Sequence, residues 1–433
     1  MEVRSQLFQS FVDWYLPPSE YLQEGTGKNI LQTLPDLTTS SQILDKAVTS
    51  LSSAFLARQN RDTRLLEYST RLYGNAIQHL NRKIRSRGDL GHDVLYTTLV
   101  NCSPPGFSAW IAHVQGSNAI INQGASRKGD STIEKLFHRQ LKFVTLCDAI
   151  GKRKAAGLYK SLAWEHGSSR RTENPDLVDE IIDKLVECSA LMEKVDHFVQ
   201  DGNEKAQDTG AELLSSCLAL EMQFHQIHTA MQRNLGVPSP LPLDIYYWKG
   251  FRSTLSTNVF LKPLDFPSLT CAECHLLYWA ALILLYPLID QLLSVLDHPD
   301  DHIDLASAYA PIRSLEGMFD SPSDEEEGIH EPLDFETSPD FTAIAEHYAN
   351  EICRSVVYCV QPDMKTLGAQ LLLAPLSQSA QFFYVRDLTE KYKWCQRVFT
   401  MLPQLGLGIG FFLKDMVWPK YRDSHRGKSA SPG

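Results

Sequence analysis

Apolar side chains recur along this chain at intervals of three and four residues, the spacing that gathers them on one face of an α-helix. The first stripe is Ile43, Leu44, Ala47, Val48, Leu51 and Phe55, and Thr39 and Gln42 stand ahead of it at capping-box spacing. A second stripe runs through Leu65, Tyr68, Leu72, Tyr73, Ala76, Ile77, Leu80 and Ile84 and stops near Gly88, which can take the left-handed conformation that ends helices. The two stripes predict an antiparallel pair. The pattern returns at Leu177, Ile181, Ile182, Leu185, Cys188, Met192, Val195 and Val199. It returns again at Leu213, Leu214, Cys217, Leu218, Glu221, Phe224, Ile227 and Met231, with Glu221 as the one polar intruder. The uncharged run from Leu276 to Ile289 is too short to span a bilayer and is closed by Asp290, so it predicts a buried core helix. Alternating segments joined by Asn-Gly or Asp-Gly turns are missing. The predicted fold class is all-α, a large helical domain of packed antiparallel helix pairs.

Two stretches break the pattern. No Lys or Arg lies between Arg313 and Arg354, and SPSDEEEGIHEPLDFETSPD combines acids, prolines and serines that cannot bury enough surface to order themselves. This predicts one acidic disordered loop. The final KYRDSHRGKSASPG is basic, small and polar, and is expected to fray. The organisation that follows is an N-terminal segment (1–40), a helical body (41–313), the acidic loop (314–345), C-terminal helices of the same domain (346–413) and a basic flexible tail (414–433).

Composition narrows the function classes. With 43% hydrophobic and 21% charged residues, the 433-residue chain has the mix of a folded globular protein. A formal charge of -11 argues against whole-protein affinity for phosphate backbones. Glu2, Arg4 and Asp13 interrupt the apolar residues that follow Met1, so no signal-peptide core is predicted there, and no membrane association is expected. Nine cysteines, an odd and scattered set, read as reduced and mostly buried thiols rather than a disulfide framework.

Residues 45 to about 165 resemble the fungal-specific transcription-factor domain, the regulatory region that commonly follows a zinc binuclear cluster in fungal regulators. The residues that carry the likeness are DKAVTSLSSAFLARQN and YSTRLYGNAIQHLNRKI, then Trp110, His113 and Gly116 in SAWIAHVQGSNAII, then LFHRQLKF and DAIGKRKA. CAECHLLYWAALILLYPLI is similar to the family's apolar helix with its Tyr-Trp-Ala core, which extends the likeness to about residue 296. Two departures stand out. The family's longer apolar helix ending in a Tyr-Glu pair is cut short where YTTLVNCSPPGFSAW runs almost directly from Leu99 into Trp110. The six cysteines of a zinc binuclear cluster are not found either, since the first cysteine is Cys102. The resemblance therefore implies a transcriptional regulator without its own recognisable DNA-binding module. It would act in the nucleus, pair with other transcription factors or with itself as a dimer, and reach DNA only indirectly or through a module outside this sequence. Many members of the family control pathway-specific gene clusters such as those for secondary metabolites. The alternative is an interaction protein that dimerises with zinc-cluster regulators and titrates them. A biosynthetic enzyme is a remote third.

Each candidate for chemistry has a plainer explanation. Cys271, Cys274 and His275 spell the c-type haem attachment pattern, yet the motif is single and opens an apolar helix, so core packing is expected. The same pair with Cys353 and Cys359 lacks zinc-finger spacing. His225 and His228, three apart on one helix, lack the carboxylate of a metalloprotease motif and read as polar-face or satisfied core histidines. Gly406, Gly408 and Gly410 lack the strand and the Lys-Ser or Lys-Thr of a phosphate loop and predict a flexible bend. Lys152, Arg153 and Lys154, with Arg170 and Arg171 nearby, offer a short import signal or a phosphate contact against the reading of a solvated loop. Phe319, Leu333, Phe335 and Phe341 among carboxylates have the composition of an acidic activation segment, against that of a plain linker. No catalytic, cofactor or metal residue is predicted, and the chain is not expected to be an enzyme.

Overall fold

The computed structural model describes residues 2–22, 31, 41–85, 116, 132–156, 176–201, 207–241, 259–260, 262–296, 340–419 and 421. Over these the fold is all-α. The helices are α1 (Glu2–Tyr15), α2 (Gln42–Asn60), α3 (Thr63–Arg85), α4 (Thr132–Lys152), α5 (Leu177–Asp201), α6 (Gln207–Leu235) and α7 (Leu269–Val295). They continue as α8 (Phe341–Arg354), α9 (Val356–Cys359), α10 (Lys365–Leu371), α11 (Leu373–Val385), α12 (Thr389–Met401) and α13 (Gly410–Leu413). The strand pairing among the described residues is a two-residue antiparallel contact, Ser239–Pro240 (β1) on Leu264–Asp265 (β2).

The first predicted pair is present and its ends show why. Ser41, not Thr39 or Gln42, caps α2: its Oγ accepts from the Leu44 amide at 3.4 Å, and Gln42 is already helical. A helix needs an acceptor for its free first-turn amides, and a serine directly before the stripe supplies one. Arg61 then turns left-handed at φ 54°, and Asp62 accepts from the amides of Arg64 and Leu65 at 2.9 and 3.0 Å to start α3. Two linking residues force α2 and α3 into an antiparallel hairpin. The described part of α3 ends at Arg85, so Gly88 lies outside it.

The predicted core helix is the hub. α7 packs on α5, α6, α8 and α11, and 19 of its side chains from Leu269 to Leu292 are buried. Its length and composition would suit a membrane span, yet 78% of its most apolar window is buried inside the protein. A stripe-free, all-round apolar helix belongs in the centre of a bundle. Ser268 starts it by accepting from the Cys271 amide at 3.1 Å.

Three boundaries differ from the sequence expectation. The 1–40 segment contains α1, whose Phe11 packs edge-on against Phe55 of α2 at 5.1 Å. Phe341 is not part of an exposed acidic segment: it opens α8 under an Asp340 cap, is 2% exposed, and sits 5.9 Å from the Tyr286 ring. The start of the basic tail is docked, because Trp418 is buried and its amide donates to Gln381 Oε1 at 2.9 Å, while Gln381 Nε2 donates to the Met416 carbonyl at 2.8 Å. One glutamine thereby satisfies two backbone groups of the docked strand of chain. Residues 314–339 of the expected acidic loop lie outside the described residues.

Candidate functional site

The most polar part of the core lies between α6 and α7. Glu221, His225 and His228 are spaced by four and three residues and so share one face of α6. Running in the opposite direction, Tyr286, Tyr278 and His275 share one face of α7. The two lines meet rung by rung. Tyr286 Oη donates to Glu221 Oε1 at 3.0 Å, Tyr278 Oη and His225 Nδ1 are 3.0 Å apart, and the His228 and His275 rings meet edge to face at 5.6 Å. His228 also stacks flat on Tyr278, with centroids 4.5 Å apart and planes 3° apart. From α8, Tyr348 stacks on Tyr286 at 6.1 Å and meets Tyr278 edge-on at 6.0 Å.

Burial dominates the electrostatics. Glu221 is 2% exposed, and His225 Nε2 lies 3.4 Å from its Oε1, within ion-pair reach without hydrogen-bond geometry. Desolvation pushes the Tyr278 and Tyr286 hydroxyls well above their usual range, so both stay protonated donors. His275 is 1% exposed; its Nδ1 is 2.9 Å from the Cys271 carbonyl, and its Nε2 has no hydrogen-bond partner. Burial therefore holds His275 down at about 4, against a small opposing pull from that carbonyl. Burial, then the neighbouring His275 and His225, lowers His228 to about 4 as well.

This arrangement of carboxylate, imidazole and phenol contains the groups of a proton relay; Glu221, Tyr278, Tyr286 and His275 are buried between the helices, while His225 and His228 are partly exposed at its edge. A reactant would have to separate α7 from α6 to reach Glu221 or the two phenols. What the network can do as it stands is specify register: a shift by one helical position would strand Glu221 without a donor in an apolar interior, and such an orphan costs more than the bond contributes.

Of the residues singled out in the sequence, His225, His228 and His275 come together in this network, and the rest are dispersed. Cys271 and Cys274 are both fully buried at the start of α7, and the Cys271 thiol lies 3.8 Å from the Gly236 carbonyl and 3.5 Å from His275 Nδ1. Burial raises the Cys271 thiol to about 12, so in this packing it stays protonated. Cys353 contacts Cys395 rather than the α7 pair. Among the described residues no three His, Cys, Asp or Glu side chains are grouped to hold a metal ion. Gly406 does form a bend, at φ 88°, and a Cβ there would lie 2.6 Å from the Phe55 ring. The basic cluster is corrected in part, because Arg153 is not a solvated charge. It grips Asp196 of α5 with two bonds of 2.9 Å, their side chains are only 9% and 11% exposed, and Lys152 pairs with Asp148. Trp110, His113, Arg170, Arg171, Phe319, Leu333 and Phe335 lie outside the described residues.

A second charged cluster was missed by the sequence reading. Arg139 of α4 bonds Asp179 at 2.5 and 2.7 Å and also pairs with Asp176, tying α4 to the start of α5. Glu273 stands beside this cluster, and burial raises its carboxyl to about 7 despite the pull of Arg139. Of the polar core, Glu221 had a signal in the sequence as the interruption of an apolar stripe, and His225, His228 and His275 as candidate ligands. Tyr278, Tyr286 and Tyr348 gave none, since a tyrosine on an apolar face looks like any other core aromatic. No family model, curated protein or solved structure matches this chain.

Proposed function

We propose that the chain is a non-catalytic transcriptional regulator of the fungal zinc-cluster type, acting in the nucleus on a pathway-specific gene cluster and reaching DNA through a partner or through a module outside this sequence. The observation that supports this reading is where the family-like segments fall. DKAVTSLSSAFLARQN forms most of α2 and CAECHLLYWAALILLYPLI most of α7, the helices at the centres of the two hydrophobic cores. The resemblance thus lies on the residues that build the body. The net charge of -11 favours protein partners over direct phosphate contact.

The test is to fuse the full chain to an unrelated DNA-binding module and read a reporter in a fungal cell. A regulator changes reporter output several-fold relative to the module alone. An unchanged reporter, together with recovery of a zinc-cluster protein on the purified chain, replaces this reading with that of a titrating partner. An unchanged reporter with no such protein recovered removes both.

A further inference from the structure

Cys353 of α8 and Cys395 of α12 lie 42 residues apart in sequence and 3.8 Å apart between sulfurs, van der Waals contact for two thiols. No other sulfur–sulfur contact is made among the described residues. The two helices are already clamped in register beside the pair: Lys391 Nζ donates to Glu346 Oε1 at 2.6 Å and to Asn350 Oδ1 at 2.9 Å. Cys395 is one turn beyond Lys391, and Cys353 is one turn beyond Asn350, so the same faces that form the ion pair bring the thiols together. Both side chains are buried, at 1% and 0% exposure.

We infer that Cys353 and Cys395 are an oxidative modification site, closing to an intramolecular disulfide when the protein meets a peroxide. With hydrogen peroxide the balance is complete. One cysteine, as thiolate, attacks a peroxide oxygen and the O–O bond breaks; the leaving hydroxide takes up the thiol proton as water, and a sulfenic acid remains. The second sulfur then attacks the sulfenic sulfur, forming the S–S bond and expelling the hydroxyl, which leaves with the second thiol proton as another water. Two thiols are oxidised by two electrons and one peroxide is reduced to two waters. Burial raises the Cys353 thiol and slows the first step, while the ammonium of Lys391 opposes that rise. Cys188 and Cys217 are equally buried and near enough to interact electrostatically, as are Cys271 and Cys274, but neither pair makes the sulfur–sulfur contact that joins Cys353 to Cys395.

The experiment treats the reduced full chain with hydrogen peroxide, blocks remaining thiols, and maps a non-reduced digest by mass spectrometry. The expected result is a cross-linked peptide pair containing residues 353 and 395 in a monomeric chain about 2 Da lighter. The unfolding midpoint should rise by about 5 °C, reversed by reductant, because the bond closes a long loop. C353S and C395S should each lose both signals. Oxidation of other cysteines without a 353–395 link, or a link only between separate chains, overturns the assignment. The mapping on the unsubstituted chain decides this even if a serine variant folds poorly.

Discussion

The α1–α3 layer and the α6–α8 layer both bury helix faces, but with different materials. Between α2 and α3 the contacts are small: Ser50, Ser52, Ser53, Ala57, Ser69 and Ala76 are all buried. Ser50 Oγ donates to the Ser69 carbonyl at 3.0 Å and Ser69 Oγ returns the bond to the Ser50 carbonyl at 2.9 Å. Small side chains let the two backbones approach, and the hydroxyls of Ser50, Ser52 and Ser69 are satisfied by carbonyls that are present whatever the neighbouring residues are. Between α6, α7 and α8 the contacts are large aromatics around a buried carboxylate, and the polar partners are other side chains. The first interface sets the distance between helices. The second sets their register, and it is the more easily damaged, because each partner removed leaves another polar group without one.

The largest predicted effect compares the two apolar fillings. Phe224 of α6 is fully buried, and Phe224→Ala should cost about 4 kcal/mol, while Phe55→Ala at the α1–α2 contact, 8% exposed, should cost about 3 kcal/mol. Urea midpoints of both variants give the ranking, and a reversed order would show that the N-terminal layer is the better packed.

Next comes acid sensitivity, which should belong to the second layer. His275 and His228 are held below their usual 6.5 in the folded state, so between about 4 and 6.5 the unfolded chain binds more protons. Their contribution is full above 6.5 and is lost as pH falls towards 4, on the order of 3 kcal/mol for the fully buried His275. Glu273 has the opposite sign: raised from 4.5 to about 7, its contribution is full below 4.5 and is lost as pH rises towards 7. Unfolding at a series of pH values should therefore show His275→Gln flattening the acid limb and Glu273→Gln flattening the neutral one. An acid limb unchanged by His275→Gln would mean that the ring charges without penalty.

Removing one phenol should matter less. Tyr286→Phe takes the donor from Glu221 and should cost about 2 kcal/mol in chemical denaturation. A neutral outcome would mean that Glu221 finds another donor. Smallest is Ser50→Ala, at about 1 kcal/mol or less, since the Ser69 carbonyl keeps its own helical partner. If this exceeds the tyrosine variant, side-chain pairing is not what separates the layers.

Legibility in the sequence followed the same division. The stripes of α2, α3, α5 and α6 were readable because amphipathic helices repeat their apolar positions at 3.6 residues, and α7 was readable because it lacks any polar face. α1 was not read, although Phe8, Phe11, Val12 and Tyr15 have the spacing, since one short stripe beside two prolines gives little periodicity to see. The docking of Trp418 was invisible for another reason: it depends on Gln381, a polar residue 37 positions earlier that shows nothing in its own stretch of sequence.

By itself, the sequence determined the all-α class, the main helices and the buried position of the apolar run, because these depend on periodicity and burial along one segment. Which polar residues meet was decided by tertiary structure alone. Glu221 is only an interruption until antiparallel packing brings Tyr286 to it, Arg153 is only a surface charge until α5 supplies Asp196, and Cys353 is one of several thiols until α12 delivers Cys395. Each pair joins residues 42 to 65 positions apart, and no local pattern records a partner at that distance.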